Sequence, residues 1–350
     1  MSKPSLREWI TSLPKRKSTI IDMTLHRKRK LMVHALLALS CIIPFLMVWV
    51  YFDTRLLPLG WDPGTYLKFT NALEADVAIR LGLTSFEEAG WKLLPMWGQD
   101  AWQYPPLFFI LLSIMSKLID PVLSLKLLGT LALSLQPIPA FLLARRIAKS
   151  NLAGLLAAYG SSMTPLYIEM MGWGSYTNLL GFLLMGFAIY STLCALENPS
   201  KGSFVKAASL SMLLVLAHHL TFLIYVGVLA GWVLLTILFR KKHERIELHA
   251  ILVSLGSAIS FFLLYNLLLA WPLRYTLLNE SAYYELRFEP LGTMGIQWVF
   301  KDYIPMITTG LVVLAMFFGI KGALDKRYLT LLFSWSAFPS IATLGFLFGV

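Results

Sequence analysis

The amino-acid sequence predicts an all-α membrane protein, a polytopic bundle of about nine transmembrane helices. Of its 350 residues, 57% are hydrophobic and 14% are charged, and the mean hydropathy is +0.67. Soluble domains are usually about 45–50% apolar and about 25% charged. The apolar residues also occur in runs of about 20, the length that crosses a bilayer core of roughly 30 Å. All three observations indicate a chain built to lie in a membrane.

The net charge of +11 is concentrated at the start of the chain. Residues 1–30 form a basic tail that carries nine Lys and Arg against Glu8 and Asp22. Basic residues beside a first span stay in the cytoplasm and contact anionic lipid headgroups, so the tail predicts a cytoplasmic N-terminus and membrane lipids as partners. A nucleic-acid partner is not indicated, because the charge does not spread over a folded surface.

The first span is predicted at Leu31–Tyr51, and residues 52–104 form the first outer loop. This loop has more acidic than basic residues, which is typical of the outer side when the preceding segment is basic. Within it, Tyr66–Leu83 has apolar residues near helical spacing and predicts a helix along the outer surface. The loop ends at Tyr104, before Pro105.

Pro105–Ile119 is apolar but too short to cross, which favours a re-entrant or interfacial helix. The next run, Val122–Leu143, ends at Arg145-Arg146, which the positive-inside rule places in the cytoplasm. An odd number of crossings must separate the outer Tyr104 from these arginines. We therefore expect Val122–Leu143 to be the second span.

The later spans alternate so that every basic cluster faces the cytoplasm, and together with the basic tail they leave one transmembrane domain at 31–350. The run Phe204–Phe239 is long enough to cross twice, and its polar interruption His218-His219 is predicted at the outer turn. The two cysteines have no metal-ligand or disulfide spacing. The other expected spans are Leu152–Tyr167, Leu179–Leu196, His249–Trp271, Tyr303–Ile320 and Leu329–Val350.

This topology collects the unusual polar residues on the outer side of the membrane. Ionisable groups at membrane depth are costly and are functional candidates by default. The cytoplasmic side offers only basic clusters, so a site is expected in an outer-face cavity. The outer candidates include Asp53, Asp62, Tyr104, Glu169, His218 and His219.

Two motifs in the first outer loop resemble the GT-C superfamily of polytopic glycosyltransferases. Trp61-Asp62-Pro63-Gly64-Thr65-Tyr66 is similar to their first-loop aspartate motif, nearest to the catalytic subunit of oligosaccharyltransferase and to dolichyl-phosphate-sugar-dependent mannosyltransferases. Tyr104-Pro105-Pro106-Leu107 is similar to the proline-led motif that closes the same loop. The resemblance covers roughly residues 30–240. A Trp-Trp-Asp motif is missing, which leaves a protein or glycan acceptor open.

The resemblance implies transfer of a sugar from a polyprenyl-phosphate-linked donor on the outer face of the cell membrane. Asp62 would act as general base or hold a divalent cation, because an acceptor hydroxyl or amide is a poor nucleophile. If the reaction uses Mg²⁺ or Mn²⁺, Asp53 and Glu169 would supply further oxygen ligands. The expected substrate-binding residues are Tyr66, Tyr104, His218, His219, Arg274 and Arg287.

Plainer interpretations stand beside these. Asp62-Pro63-Gly64 is also an ordinary turn signal, and His218-His219 can be an interhelical pair. The alternative function is a non-enzymatic polytopic protein, either a carrier or flippase for a lipid or glycolipid, or a GT-C-shaped partner subunit. Transporters usually place polar groups near the bilayer midplane. Here the polar residues gather at one face, which favours the enzyme.

Overall fold

A computed structural model describes residues 6–53, 63–89, 105–162, 170–171, 174–238, 245–268 and 331. Every regular element in these ranges is a helix, which confirms the all-α fold for this part of the chain. The helices are α1 Leu6–Asp53, α2 Pro63–Arg80, α3 Phe86–Ala89, α4 Leu107–Ser116, α5 Pro121–Ser134, α6 Pro137–Ala148, α7 Asn151–Ser162, α8 Tyr176–Glu197, α9 Lys201–Ala217, α10 His219–Leu238 and α11 Arg245–Leu268.

Four stretches are long and apolar enough to cross a membrane: Arg27–Val50, Pro121–Ala148, Tyr176–Glu197 and Leu248–Tyr265. Leu107–Ser116 and Thr221–Leu234 are shorter apolar helices. At 10 residues, α4 extends about 15 Å, which fits the expectation that this segment does not cross by itself. The expected spans Tyr303–Ile320 and Leu329–Val350 lie outside the described residues, apart from Leu331.

Side-chain contacts to α8 give the direction of α6. Near the start of α8, the Gln136 side-chain amide donates to the Leu179 carbonyl oxygen over 2.7 Å. Near its end, Arg146 pairs with Glu197 at 2.7 Å. The α5–α6 segment therefore runs parallel to α8. We call the end with Arg146 and Lys201 the basic end of the bundle, and the end with Tyr176 the aromatic end.

Helices α9, α10 and α11 alternate in direction. His218, between α9 and α10, packs against Gly181 near the start of α8, so α9 rises to the aromatic end and α10 leaves it. In α11, the Ser254 hydroxyl oxygen lies 2.8 Å from the Thr192 hydroxyl oxygen of α8. The Phe262 ring of α11 stacks on the Phe222 ring near the start of α10. Helix α11 therefore rises to the aromatic end, as α9 does.

Helix α1 packs against α5, α6 and α7 at the edge of the bundle. Its Val48 contacts the apolar cluster around Tyr176, so its C-terminal part lies at the aromatic end. Arg27 precedes Val48 by 21 residues, or about 31 Å of helix, and so lies at the basic end. The basic tail from Leu6 onward is continuous with this helix.

The boundaries of α2 correct the expected helix Tyr66–Leu83 by three residues at each end. The helix starts at Pro63 because proline suits the first helical position. It stops at Arg80 because Gly82 adopts a left-handed conformation with φ 69°. The backbone N–H groups of Gly82 and Leu83 then donate to the carbonyls of Ile79 and Ala78, the Schellman pattern of helix ends.

Candidate functional site

An aromatic cluster of five rings joins α2, α4 and α8 at the aromatic end. The Tyr66 ring lies 5.3 Å from Phe108, 5.8 Å from Phe109 and 5.9 Å from Tyr176, measured between centroids. Phe69 stacks on Phe109 at 5.5 Å. Such separations are favourable for aromatic pairs. Tyr66, an expected substrate-binding residue, is 3% exposed and therefore packs in this cluster.

A glycine on α5 makes room for the Tyr176 ring at the start of α8. The Tyr176 ring covers Gly129 of α5, where an added Cβ would lie 3.1 Å from the ring. One turn further along α8, the Leu179 carbonyl accepts the hydrogen bond of Gln136. Gln136 stands at the bend between α5 and α6, directly before Pro137, and is buried. Its amide thus fixes this bend to the start of α8.

Helices α2 and α4 lie side by side and run in the same direction. Tyr66 contacts Phe108 at the beginning of the pair. Two turns later, Glu74 accepts a hydrogen bond from Ser113 at 2.6 Å and pairs with Lys117 at 2.9 Å. Their N-termini are therefore neighbours. This pairing also places Lys117 beside the first-loop helix α2.

The residues that precede these two helices are the ones the motifs singled out. Helix α2 begins directly after Asp62, and α4 begins directly after Tyr104-Pro105-Pro106. Pro105 and Pro106 are buried. Unpaired N–H groups at helix starts give each N-terminus a partial positive charge that favours anions. Asp62 and Tyr104 themselves lie outside the described residues.

His218 breaks the chain between α9 and α10 and caps both helices. Its backbone N–H donates to Leu214 at the end of α9, and its carbonyl accepts from Phe222. Its Nδ1 accepts from the Thr221 backbone N–H at 3.3 Å and lies 3.0 Å from the Thr221 hydroxyl. His218 Nδ1 thus acts as a hydrogen-bond acceptor at the start of α10.

His219 lies beside two aromatic rings of α11. Its ring meets Phe262 at 5.8 Å and Tyr265 at 6.4 Å, both near edge-to-face. Its Nε2 is buried, and among the described residues it has no hydrogen-bond partner. The two histidines lie near the aromatic cluster, because His218 packs against Gly181 of α8. Gly181 follows Tyr176 by five residues, or about 7.5 Å of helix.

The remaining site residues predicted from the sequence have side chains outside the described part of the chain. Glu169, Arg274 and Arg287 lie outside the described residues. Asp53 is the last residue of α1, and its side chain also lies outside them. In the part of the chain that the structure describes, no three His, Cys, Asp or Glu side chains form a group that could hold a metal ion. The side chains of the cation ligands proposed from the sequence, Asp53, Asp62 and Glu169, all lie outside that part.

Tyr176 and Gln136 were not predicted as site residues, although each leaves a signal in the sequence. Gln136 is a lone amide inside the expected span Val122–Leu143, next to a proline. Buried amides in a membrane need a partner, so its position marks a helix contact. Tyr176 follows the turn at Gly174, whose φ is 83°, directly before a long apolar run.

No family model and no curated protein matches the chain. The likeness to the GT-C superfamily therefore rests on the motifs around Asp62 and Tyr104 and on the expected topology.

Proposed function

We propose that the protein is a glycosyltransferase of the cell membrane, with its N-terminus in the cytoplasm. It transfers a sugar from a polyprenyl-phosphate-linked donor to an acceptor on the outer face. Asp62 acts as the general base toward the acceptor or as a carboxylate that holds a divalent cation. The donor's phosphate lies near the starts of α2 and α4.

The parallel packing of α2 on α4 carries this proposal. Asp62 and Tyr104 are 42 residues apart in sequence, yet the helices that begin after them touch at Tyr66 and Phe108. Pro63 comes directly after Asp62, and two residues, Pro105 and Pro106, separate Tyr104 from Leu107. In the sequence, each residue is thus at most three positions before a helix start, and these starts are neighbours. We infer that the carboxylate and the aromatic residue that precede them serve the sugar acceptor and its base.

Helix N-termini supply the chemistry that a phosphate leaving group needs. The starts of α2, α4 and α8 meet around Tyr66, Phe108 and Tyr176. N–H groups and dipoles at helix starts bind phosphate readily. Charge builds on the leaving phosphate as the glycosidic bond breaks, so fixed positive ends that face it lower the barrier.

The helix directions support the outer location of the site. The basic end carries Arg145, Lys149 and Lys201, together with Arg27–Lys30 of α1. Under the positive-inside rule this end faces the cytoplasm. The aromatic end then faces outward, and with it the starts of α2 and α4.

Asp120 of the same chain offers a comparison for a purely structural role of Asp62. Asp120-Pro121 repeats the Asp-Pro pair at the start of α5, and the Asp120 carboxylate accepts the N–H groups of Val122 and Leu123 at 2.9 Å. Asp120 is therefore a helix cap. Asparagine caps helices about as well as aspartate but is neither a base nor a strong cation ligand. Asp→Asn exchange at the two positions separates capping from catalysis.

The test uses the full chain in liposomes, with a polyprenyl phosphate carrying a radiolabelled hexose and a membrane extract as the source of acceptors. Loss of a general base slows a reaction by about 10²–10⁴-fold, so Asp62→Asn should cut transfer by at least about 100-fold. Asp120→Asn should transfer sugar as the wild type does. Equal transfer by wild type and Asp62→Asn would remove Asp62 from the mechanism.

The same liposomes test the carrier alternative. Donor lipid is supplied in the outer leaflet only, and its passage to the inner leaflet is followed by protection from an added hydrolase. Passage without any transfer to an acceptor would identify a carrier or flippase and overturn the enzyme. Transfer without passage supports the glycosyltransferase.

A further inference from the structure

The basic end of the bundle carries far more positive than negative charge. Glu197 is the one carboxylate among the side chains that the structure describes there, and it pairs with Arg146 at 2.7 Å. The remaining cations come from three regions at this end of the bundle. They are Arg27, Lys28, Arg29 and Lys30 of α1, Arg145 and Lys149 at the α6–α7 turn, and Lys201 and Lys206 of α9.

Lys149 occupies an unusual backbone conformation at the centre of this surface. Its φ of 51° makes it the only non-glycine residue with positive φ in the described ranges. A side chain in the left-handed region is strained relative to glycine, the usual residue at this position after a helix. Strained positions of this kind often serve binding. A lysine therefore stands at a turn position where glycine would be less strained.

Exposed apolar side chains adjoin the cations on α7 and on α1, which packs against α7. On α7, Leu152 is 66% exposed and Leu156 is 65% exposed, one turn apart on one helix face. On α1, Leu31 is 70% exposed and comes directly after Lys30. Helix α1 packs against α7, so the two sets lie on neighbouring helices. A cationic rim above an apolar wall matches a phospholipid, with its phosphate at the rim and its acyl chains along the wall.

We propose that the α6–α7 turn and the adjoining basic segment of α1 form a binding surface for an anionic phospholipid. Lys149, Arg145 and Lys30 hold the headgroup, and its acyl chains lie along Leu152 and Leu156. This surface is at the opposite end of the bundle from the aromatic cluster and does not depend on the proposed sugar transfer.

Arg146 does not share this role, because its charge is already engaged. Its guanidinium donates to Glu197 and lies over the Tyr190 ring at 5.5 Å. Arg145 instead lays its stem against Gly154 of α7, with its guanidinium 5.8 Å from the centre of the Phe141 ring, and remains exposed. Arg146 thus holds α6 to α8, whereas Arg145 faces the headgroup region.

The test measures lipid binding to the full chain in neutral detergent by native mass spectrometry. Phosphatidylglycerol and phosphatidylcholine with the same acyl chains are titrated separately. Each cation near the surface contributes about 1 kcal/mol to anionic lipid binding, or about fivefold in affinity. Lys149→Gln should weaken phosphatidylglycerol about fivefold and Lys30→Gln/Lys149→Gln about 25-fold, with phosphatidylcholine unchanged.

Lys68→Gln/Lys126→Gln removes the same charge from the other end of the bundle and is the matched control; its phosphatidylglycerol affinity should equal that of the wild type. Lys149→Gly should keep or raise thermal stability without added lipid, because it relieves the left-handed strain, and should still weaken phosphatidylglycerol. Equal affinity of wild type for the two lipids would overturn the proposal. Equal losses in the control pair, or displacement of the lipid by inorganic phosphate at millimolar concentration, would do so as well.

Discussion

The ring of Tyr66 lies 5.3 Å from the ring of Phe108, and this contact joins the two edges of the first loop. Tyr66 is the fourth residue of α2, and Phe108 is the second residue of α4. The two ends of the intervening segment therefore lie next to each other. Glu74 and Lys117 repeat the contact two turns on, at 2.9 Å. The packing of α2 on α4 thereby brings together the starts of the two helices that follow Asp62 and Tyr104 in the sequence.

The aromatic cluster should be a single energetic unit. Tyr66→Ala and Phe108→Ala should each lower the free energy of unfolding by about 3 kcal/mol, because each leaves a ring-sized cavity. The double variant should lose less than the sum, since each ring loses its partner only once. Thermal unfolding in detergent measures this, with exposed Leu152→Ala as the control. Strictly additive losses would show that the two rings are independent.

Stability measurements should distinguish a helix-capping role of Asp62 from a catalytic role, as the transfer assay does. Asp120→Ala should cost about 1 kcal/mol through loss of the α5 cap, while Asp120→Asn should cost little. If Asp62 also caps α2, Asp62→Ala should show the same loss and Asp62→Asn should show none. An inactive Asp62→Asn variant with the wild-type melting temperature would assign the loss of transfer to the carboxylate alone.

Gly181 should not tolerate a side chain. An added Cβ would lie 2.8 Å from the Thr221 hydroxyl oxygen and 2.9 Å from the His218 Cβ, so Gly181→Ala must push α10 from α8. We expect a loss of about 1–3 kcal/mol in thermal unfolding. Gly256 of α11 has open space around it, and Gly256→Ala should stabilise by up to about 1 kcal/mol. A gain in stability at Gly181 would contradict the close packing of this break.

Several features of the fold could be predicted from sequence because they depend on nearby residues. The stop at His218, the start of α5 at Asp120-Pro121 and the short helix after Pro106 all arise from local signals. Helix α2 ends three residues earlier than expected because Gly82 adopts a left-handed conformation, whereas the apolar spacing continues past this glycine to Leu83. The burial of Tyr66 had no local signal, since its partners Phe108 and Tyr176 lie 42 and 110 residues away.

The sequence by itself determined that the chain is helical and suited to a membrane, and that its basic segments share one side. Hydropathy and charge act residue by residue and add along a run, so they can be read without knowing any contact. Only the tertiary structure decided that α2 lies parallel to α4 and that Lys149 is held in a left-handed turn. It also decided that the Tyr176 ring packs on Gly129 and that His218, between α9 and α10, packs on Gly181. These features arise where side chains distant in sequence must fit together in space, which no periodic pattern records.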